Sequence, residues 1–296
     1  MKKAYICAGI SIACWSTVAV VSKLLLGQLD NIQLLWASAF FATLFLFGYN
    51  LIKGSLKNLK AYKFKDYAIS ILTGLPSTLL YYLFYYAGTD RMLASQAFIV
   101  NYLWPIMSVV FACIILKEKL TPRKIIAIVI SFVGVVLVSG KDLLHLSENV
   151  LMGTLCCVLG AVSYGLFTAL NRKYDYDKFV TLMLSYFASF LITTVINGVN
   201  GALFIPQWGQ LLGFAWNGIF TMAIANTVWV LALSMGNTAK ISNLAYITPF
   251  LSLIWTFLIL KEPLNIYSII GLVVIVCGIL IQIRDKDKNS DKKLGV

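Results

Sequence analysis

Asn101-Tyr102-Leu103-Trp104-Pro105 stands in the middle of an apolar run that extends from about 92 to 116. The pentapeptide places an amide, two aromatic rings and a proline halfway along a stretch long enough to cross a bilayer, which takes about 20 apolar residues as a helix. A proline inside a helix has no N–H to donate and crowds the carbonyl four residues back, so Pro105 frees the carbonyl of Asn101. A second break, Tyr246-Ile247-Thr248-Pro249, follows 144 residues later, and Pro249 frees Ala245 in the same way. Freed backbone groups persist at membrane depth only where protein or a water-filled cavity satisfies them. The two breaks are therefore expected to line a pathway.

The rest of the chain fits a membrane setting. Of its 296 residues 60% are hydrophobic and 12% charged, with a mean hydropathy of +0.85. A soluble domain carries about twice that share of charge. The net charge of +12 lies in short loops between apolar runs, where topology explains it better than nucleic-acid binding does. Met1-Lys2-Lys3 leads straight into the first run with no small-residue cleavage site, so that segment is expected to stay. Cys7, Cys14, Cys113, Cys156, Cys157 and Cys277 all fall in apolar runs without CxxC pairs. They read as packing residues, and neither disulfides, a metal nor a cofactor is expected.

Ten spans are read, near 4–26, 34–52, 67–88, 92–116, 123–139, 151–171, 178–199, 210–235, 239–260 and 266–283. Thr121-Pro122 and Asn265 are the start signals of the fifth and tenth. With the N-terminus placed inside, the loops and tails on that side hold 20 Lys and Arg against 3 on the other, at Arg91, Lys141 and Lys261. The positive-inside rule then puts both termini in the cytoplasm. The tail, 284–296, is expected to be a disordered cytoplasmic end.

Residues 102–140 align with 246–284 at a constant offset of 144. Tyr102 matches Tyr246, Pro105 matches Pro249, Ser108 matches Ser252, Gly134 matches Gly278, and Leu116-Lys117-Glu118 matches Leu260-Lys261-Glu262. The earlier parts align more weakly at 149, which sets Lys23 against Arg172. Two units, 4–140 and 151–283, thus hold five spans each and cross in opposite senses. Inverted repeats of this kind mark secondary transporters with a site near the midplane.

Candidate site residues are Trp15, Tyr82, Asn101, Trp104, Tyr164, Asn226 and Tyr246, aromatics and amides near helix middles. Ser252 and Thr256 suit either a cavity wall or a small-residue seam. Lys23 and Arg172 either meet substrate or snorkel to opposite interfaces. Tyr85 and Tyr86 suit an interfacial belt, and Glu118 and Glu262 read as structural loop residues. All 12 acidic residues lie in loops or at helix ends, and the single histidine, His145, lies in an external loop. Without a midplane carboxylate, a proton-coupled drug antiporter is disfavoured. No phosphate-binding Gly-rich loop is present, and no nucleophile has a base partner, which argues against an enzyme.

Ten spans in two halves, Trp15-Ser16-Thr17, and the paired Pro-x-x-Ser and Leu-Lys-Glu-x-Leu segments resemble the EamA family of the drug/metabolite transporter superfamily. The Asn101–Pro105 string and Tyr246-x-Thr248-Pro249 are similar to the YddG-type aromatic amino acid exporters within it. The resemblance implies ten helices around a central cavity in the cytoplasmic membrane of a bacterium, and export of aromatic or other neutral amino acids. Tyr164 stands where those exporters have a tryptophan, and Gln96 where some relatives carry a carboxylate. The expected partners are the lipid bilayer and a small-molecule substrate, with the chain a monomer or weak dimer. A carrier of phosphorylated metabolites or nucleotide sugars, and a non-transporting membrane enzyme or assembly subunit, are the alternatives. The former needs several cavity cations. The latter needs a catalytic cluster or a long soluble loop.

Overall fold

Apolar runs with start and stop residues at their ends become helices, and the turn chemistry sets the boundaries. A computed structural model describes residues 2–144, 148–235, 241 and 244–291. His145, Lys240 and Ser242 lie outside them. Among the described residues the chain forms ten helical rods: α1 (Lys2–Leu26), α2 (Asn31–Lys53), α3 (Phe64–Arg91), α4 (Ala94–Ile115), α5 (Pro122–Leu144), α6 (Glu148–Lys173), α7 (Lys178–Val199), α8 (Trp208–Met235), α9 (Ala245–Leu260) and α10 (Ile266–Asp291). Seven of these, α1 to α4 and α6 to α8, are long and apolar enough to cross a membrane. The protein is an all-helical, multi-pass membrane protein.

Local chemistry explains the boundaries. Asp30 accepts from the N–H groups of Ile32 and Gln33 at 2.8 Å, and Gln33 accepts from that of Asp30, a reciprocal cap on α2. Asp177 caps α7, Thr121 caps α5, and Asn265 caps α10. The last rod runs to Asp291, past the end expected at 283 and into the tail expected to be disordered. No Gly or Pro lies between Gly278 and Gly295 to stop it. A short 3-10 helix, Ser55–Ala61, occupies the basic loop before α3.

Several rods are interrupted. In α1 the regular helix stops at Ser16 and resumes at Val18, where the Ser16 and Thr17 hydroxyls bond back to the carbonyls of Ala13 and Cys14. In α4 it stops at Asn101 and resumes at Trp104 with Pro105 in the new first turn; in α9, Pro249 holds the same place. Single π-helical stretches interrupt α3 at Pro76–Leu80 and α8 at Trp216–Ile224.

The two halves interleave. Rod α1 packs on α8 and α9, and α6 packs on α3 and α4; α2 packs on α8, and α7 on α3. The α5–α10 crossing is reciprocal. A Cβ at Gly134 would meet Ile275 Cγ1 at 2.6 Å and the Gly271 carbonyl at 2.8 Å; one at Gly278 would meet Ser131 and, at 2.9 Å, the Ala127 carbonyl. Ala127, Ser131 and Gly134 become Gly271, Ile275 and Gly278 on adding 144. Each helix thus presents the same surface to the other, as an isologous contact does, and the glycines let the backbones meet.

Candidate functional site

Helix interruptions aim side chains that a straight helix would not. Tyr81 and Tyr82 follow the π-helical stretch of α3, Asn226 follows that of α8, and Trp15 precedes the break in α1. Such insertions recur at functional sites because they rotate the next turns of the helix. Here they converge with the α4 break on one chamber of about 60 Å³. Its wall includes Trp15, Tyr81, Tyr82, Asn101, Tyr102, Trp104, Tyr164, Asn226, Ala245 and Thr248. Trp15, Trp104, Tyr164, Asn226 and Ala245 also border a wider cavity of about 440 Å³. That cavity continues past Thr168, Trp229 and Ser234 to Asn171 and Lys178.

Six of the seven candidates, Trp15, Tyr82, Asn101, Trp104, Tyr164 and Asn226, border the small chamber. Tyr246 borders neither cavity. It lies in a 3-10 turn, Ala245–Ile247, where residues three apart share a face. Ala245 and Thr248 therefore take the wall, and Tyr246 turns aside. Spacing along the chain does not single out Tyr81 or Thr248. The demand of a midplane amide for polar company is the signal that points to Tyr81.

The chamber is aromatic with a few polar atoms. Trp104 and Tyr164 meet edge to face at 5.0 Å, Tyr81 and Tyr164 lie 5.2 Å apart, and Trp15 and Trp229 lie 5.3 Å apart. Asn101, 3% exposed, donates to the Tyr81 hydroxyl at 2.9 Å, while its Oδ1 has no partner. Gly160 makes room for that oxygen: a Cβ there would stand 3.1 Å from it. The Thr248 hydroxyl, also buried, has no partner either. Asn226 spends its amide on its own helix, at the Met222 carbonyl. Unpartnered polar atoms in a buried wall cost free energy unless a ligand or water meets them.

The Ala245 carbonyl, which Pro249 deprives of its i+4 donor, accepts from the Thr248 N–H in the 3-10 turn. The Tyr102 hydroxyl, from the other half, donates to it as a second donor. Two tryptophans do the same for the α1 break: Trp255 donates to the Ser16 hydroxyl at 3.0 Å and Trp216 to that of Thr17 at 2.9 Å. The Trp15-Ser16-Thr17 segment is thus pinned by the second half.

Other expectations resolve differently. Ser252 and Thr256 are buried and border neither cavity, so both belong to a packed seam. Tyr85 and Tyr86 are fully buried and form no interfacial belt; the Tyr86 hydroxyl accepts from Asn217, which also reaches Ser38. Lys23 and Arg172 border neither cavity. The Lys23 ammonium donates to the carbonyls of Thr89, Asp90 and Met92, and Arg172 pairs with Glu118 at 2.7 Å. Burial pushes the Glu118 carboxyl up, but the hydrogen bond and charge of Arg172, joined by Lys124, outweigh it and hold the group below its ordinary value. Glu262, read as a plain loop residue, is buried against the first turn of α4.

Known proteins place this arrangement. The model of the EamA-like transporter family matches the chain twice, over residues 2–140 and 151–284. An uncharacterized transporter of Clostridium kluyveri is 25% identical, covering 99% of this chain and 97% of its own length. The aromatic amino acid exporter YddG of Ancylobacter novellus is 24% identical over 58% of this chain and 61% of its own length. A protein solved as a crystal structure superposes with a TM-score of 0.67 at 19% identity, covering 95% of this chain and 96% of that one, a likeness of fold. With both halves of the chain matched by one family model, this protein belongs to the EamA-like transporter family.

Proposed function

We propose that this transporter exports neutral amino acids, aromatic ones above all, by alternating access between two inverted repeats. The observation that carries the reading is the small chamber: aromatic rings, Trp15, Tyr82, Trp104 and Tyr164 among them, share its wall with Asn101, whose Oδ1 has no partner, and no carboxylate stands on it among the described residues. The rings suit an apolar side chain. An unpartnered amide oxygen suits an ammonium group, and aromatic faces add cation–π attraction. The similarity to the exporter from Ancylobacter novellus supports the substrate class. The reciprocal α5–α10 contact supports the repeat units 4–140 and 151–283.

Under the positive-inside rule the wide cavity opens to the cytoplasm at Asn171 and Lys178, where an exporter loads. Both termini then lie inside, and the chain works as a monomer or weak dimer. Transport runs down the substrate gradient without proton coupling. A carrier of phosphorylated metabolites is less well supported. Lys23 and Arg172 are engaged elsewhere, and Lys178 is the only cation on either cavity among the described residues. The test is a panel of amino acids and phosphorylated metabolites in proteoliposomes of the purified chain. Exchange of labelled phenylalanine, tyrosine or tryptophan supports the proposal. Exchange of phosphorylated compounds alone would sink it.

A further inference from the structure

The repeated Leu-Lys-Glu segments build one backbone twice and use it differently. Lys117 and Lys261 have φ of 55° and 58°, the only non-glycine residues with positive φ among those described. Each ends its helix in the left-handed region, which is costly for a side chain larger than glycine. The next N–H then reaches back over six residues: Glu118 to the Ala112 carbonyl and Glu262 to that of Thr256, both at 3.3 Å. Backbone outliers retained at matched positions point to a role.

The two carboxylates diverge from there. Glu262 accepts from the N–H groups of Ala94 and Ser95 at 2.7 and 2.9 Å and from the Ser95 hydroxyl at 2.6 Å, closing on the start of α4. Lys23 takes the other end of the same connection, the carbonyls of Thr89 and Met92 at 2.6 and 2.9 Å. A carboxylate at a helix start and an ammonium at a helix end both suit the dipole. Together they grip 89–95 from both sides, and no ion pair joins Lys23 to Glu262 among the described residues. At the opposite end of the molecule their counterparts, Arg172 and Glu118, hold each other at 2.7 Å. The wide cavity opens at that opposite end, past Asn171.

We propose that Lys23 and Glu262 are positioning residues that latch the closed end through the 89–95 connection, and that opening this end exchanges the latch for a Lys23–Glu262 ion pair like that of Arg172 with Glu118. The closed end caps its helix ends, and the open end pairs its charges. The proposal rests on the alternating-access reading above and needs no particular substrate.

A cysteine at Val18, on the chamber wall, reports access from each side. The reporter is Val18→Cys in the full chain with its six native cysteines replaced. It is probed with a membrane-impermeant maleimide in vesicles of both orientations. Glu262→Gln and Lys23→Met each raise labelling from the Lys23 side about tenfold, the shift of roughly one lost charged hydrogen bond, and lower it from the other side. The charge-exchanged Lys23→Glu/Glu262→Lys pair destroys both caps but restores the ion pair, so it labels faster from that side than either single exchange. Unchanged sidedness in Glu262→Gln and Lys23→Met overturns the latch, and either variant decides the point if the other does not fold. A double exchange that labels no faster than the singles overturns the ion pair. Labelling needs no substrate, so a chain that switches this way yet exports no amino acid would remove the substrate assignment and leave the latch standing.

Discussion

Asn101 uses its amide nitrogen on the Tyr81 hydroxyl and keeps a bare oxygen buried beside Gly160. Such an atom is an invitation to a donor, and the surrounding rings decide what that donor is attached to. Trp104 is the ring most exposed to this logic, since it borders both cavities and meets Tyr102 and Tyr164. Trp104→Ala is expected to cut exchange of aromatic amino acids at least tenfold while the protein stays folded; wild-type exchange rates in proteoliposomes would contradict the site. Glu118 supplies a second residue-scale prediction. Its carboxyl is held below the ordinary 4.5, so the stabilisation from Arg172 is complete above that value and is lost as pH falls through the lower folded one. Arg172→Met should therefore lower the melting temperature at pH 7 and make little difference once the carboxyl is protonated. A difference that persists in acid would assign the loss to packing instead.

At the scale of one helix, the breaks in α1, α3, α4, α8 and α9 matter more than the regular turns between them. Pro249 removes the i+4 bond that the Ala245 carbonyl would have accepted; the Thr248 N–H serves it from within the turn, and Tyr102 adds a donor from another helix. Tyr102→Phe should cost about 1 kcal/mol, the typical worth of a hydrogen bond within a membrane protein. Pro249→Ala restores an N–H that can serve the same carbonyl. The double substitution should therefore lose less stability than the two single losses added together, which a double-mutant cycle in denaturant measures. Strict additivity would mean that the two donors do not share the carbonyl. The α5–α10 crossing gives the other element-scale test. Gly134→Ala and Gly278→Ala drive a methyl group into the facing backbone and should each cost roughly 1–3 kcal/mol. The reciprocal contact requires the two losses to be similar.

Across the whole molecule, the distribution of charge is what the proposal of uncoupled export rests on. The carboxylates lie at helix ends, and the two that recur, Glu118 and Glu262, are engaged with the protein itself. An imposed pH gradient should then leave the steady-state distribution of substrate across a proteoliposome membrane unchanged. Concentrative accumulation that follows the gradient would contradict facilitated export. The same layout explains why the halves cannot be understood singly. Rods α1 and α6 are each packed on the opposite half, so the chamber exists only when both halves are present.

Much of this was legible in the linear chain because membrane proteins obey few, strong rules. Apolar runs must be helices, since a lipid-exposed backbone has to satisfy itself. The 144-residue offset exposed the repeat, and a midplane proline exposed the breaks in α4 and α9. Six of the seven candidate residues, picked as aromatics and amides near helix middles, border one chamber. The three-dimensional packing settled what sequence spacing leaves open: which faces the interrupted helices present, and which partner each long side chain reaches. The π-helical stretch in α8 has no proline or other mark in the sequence, and a 3-10 turn moved Tyr246 off the wall. Glu118 and Glu262 share a motif and a backbone shape, yet one pairs with an arginine and the other caps a helix. Identical local sequence cannot distinguish them, because a carboxylate's partner depends on which helices the fold brings beside it.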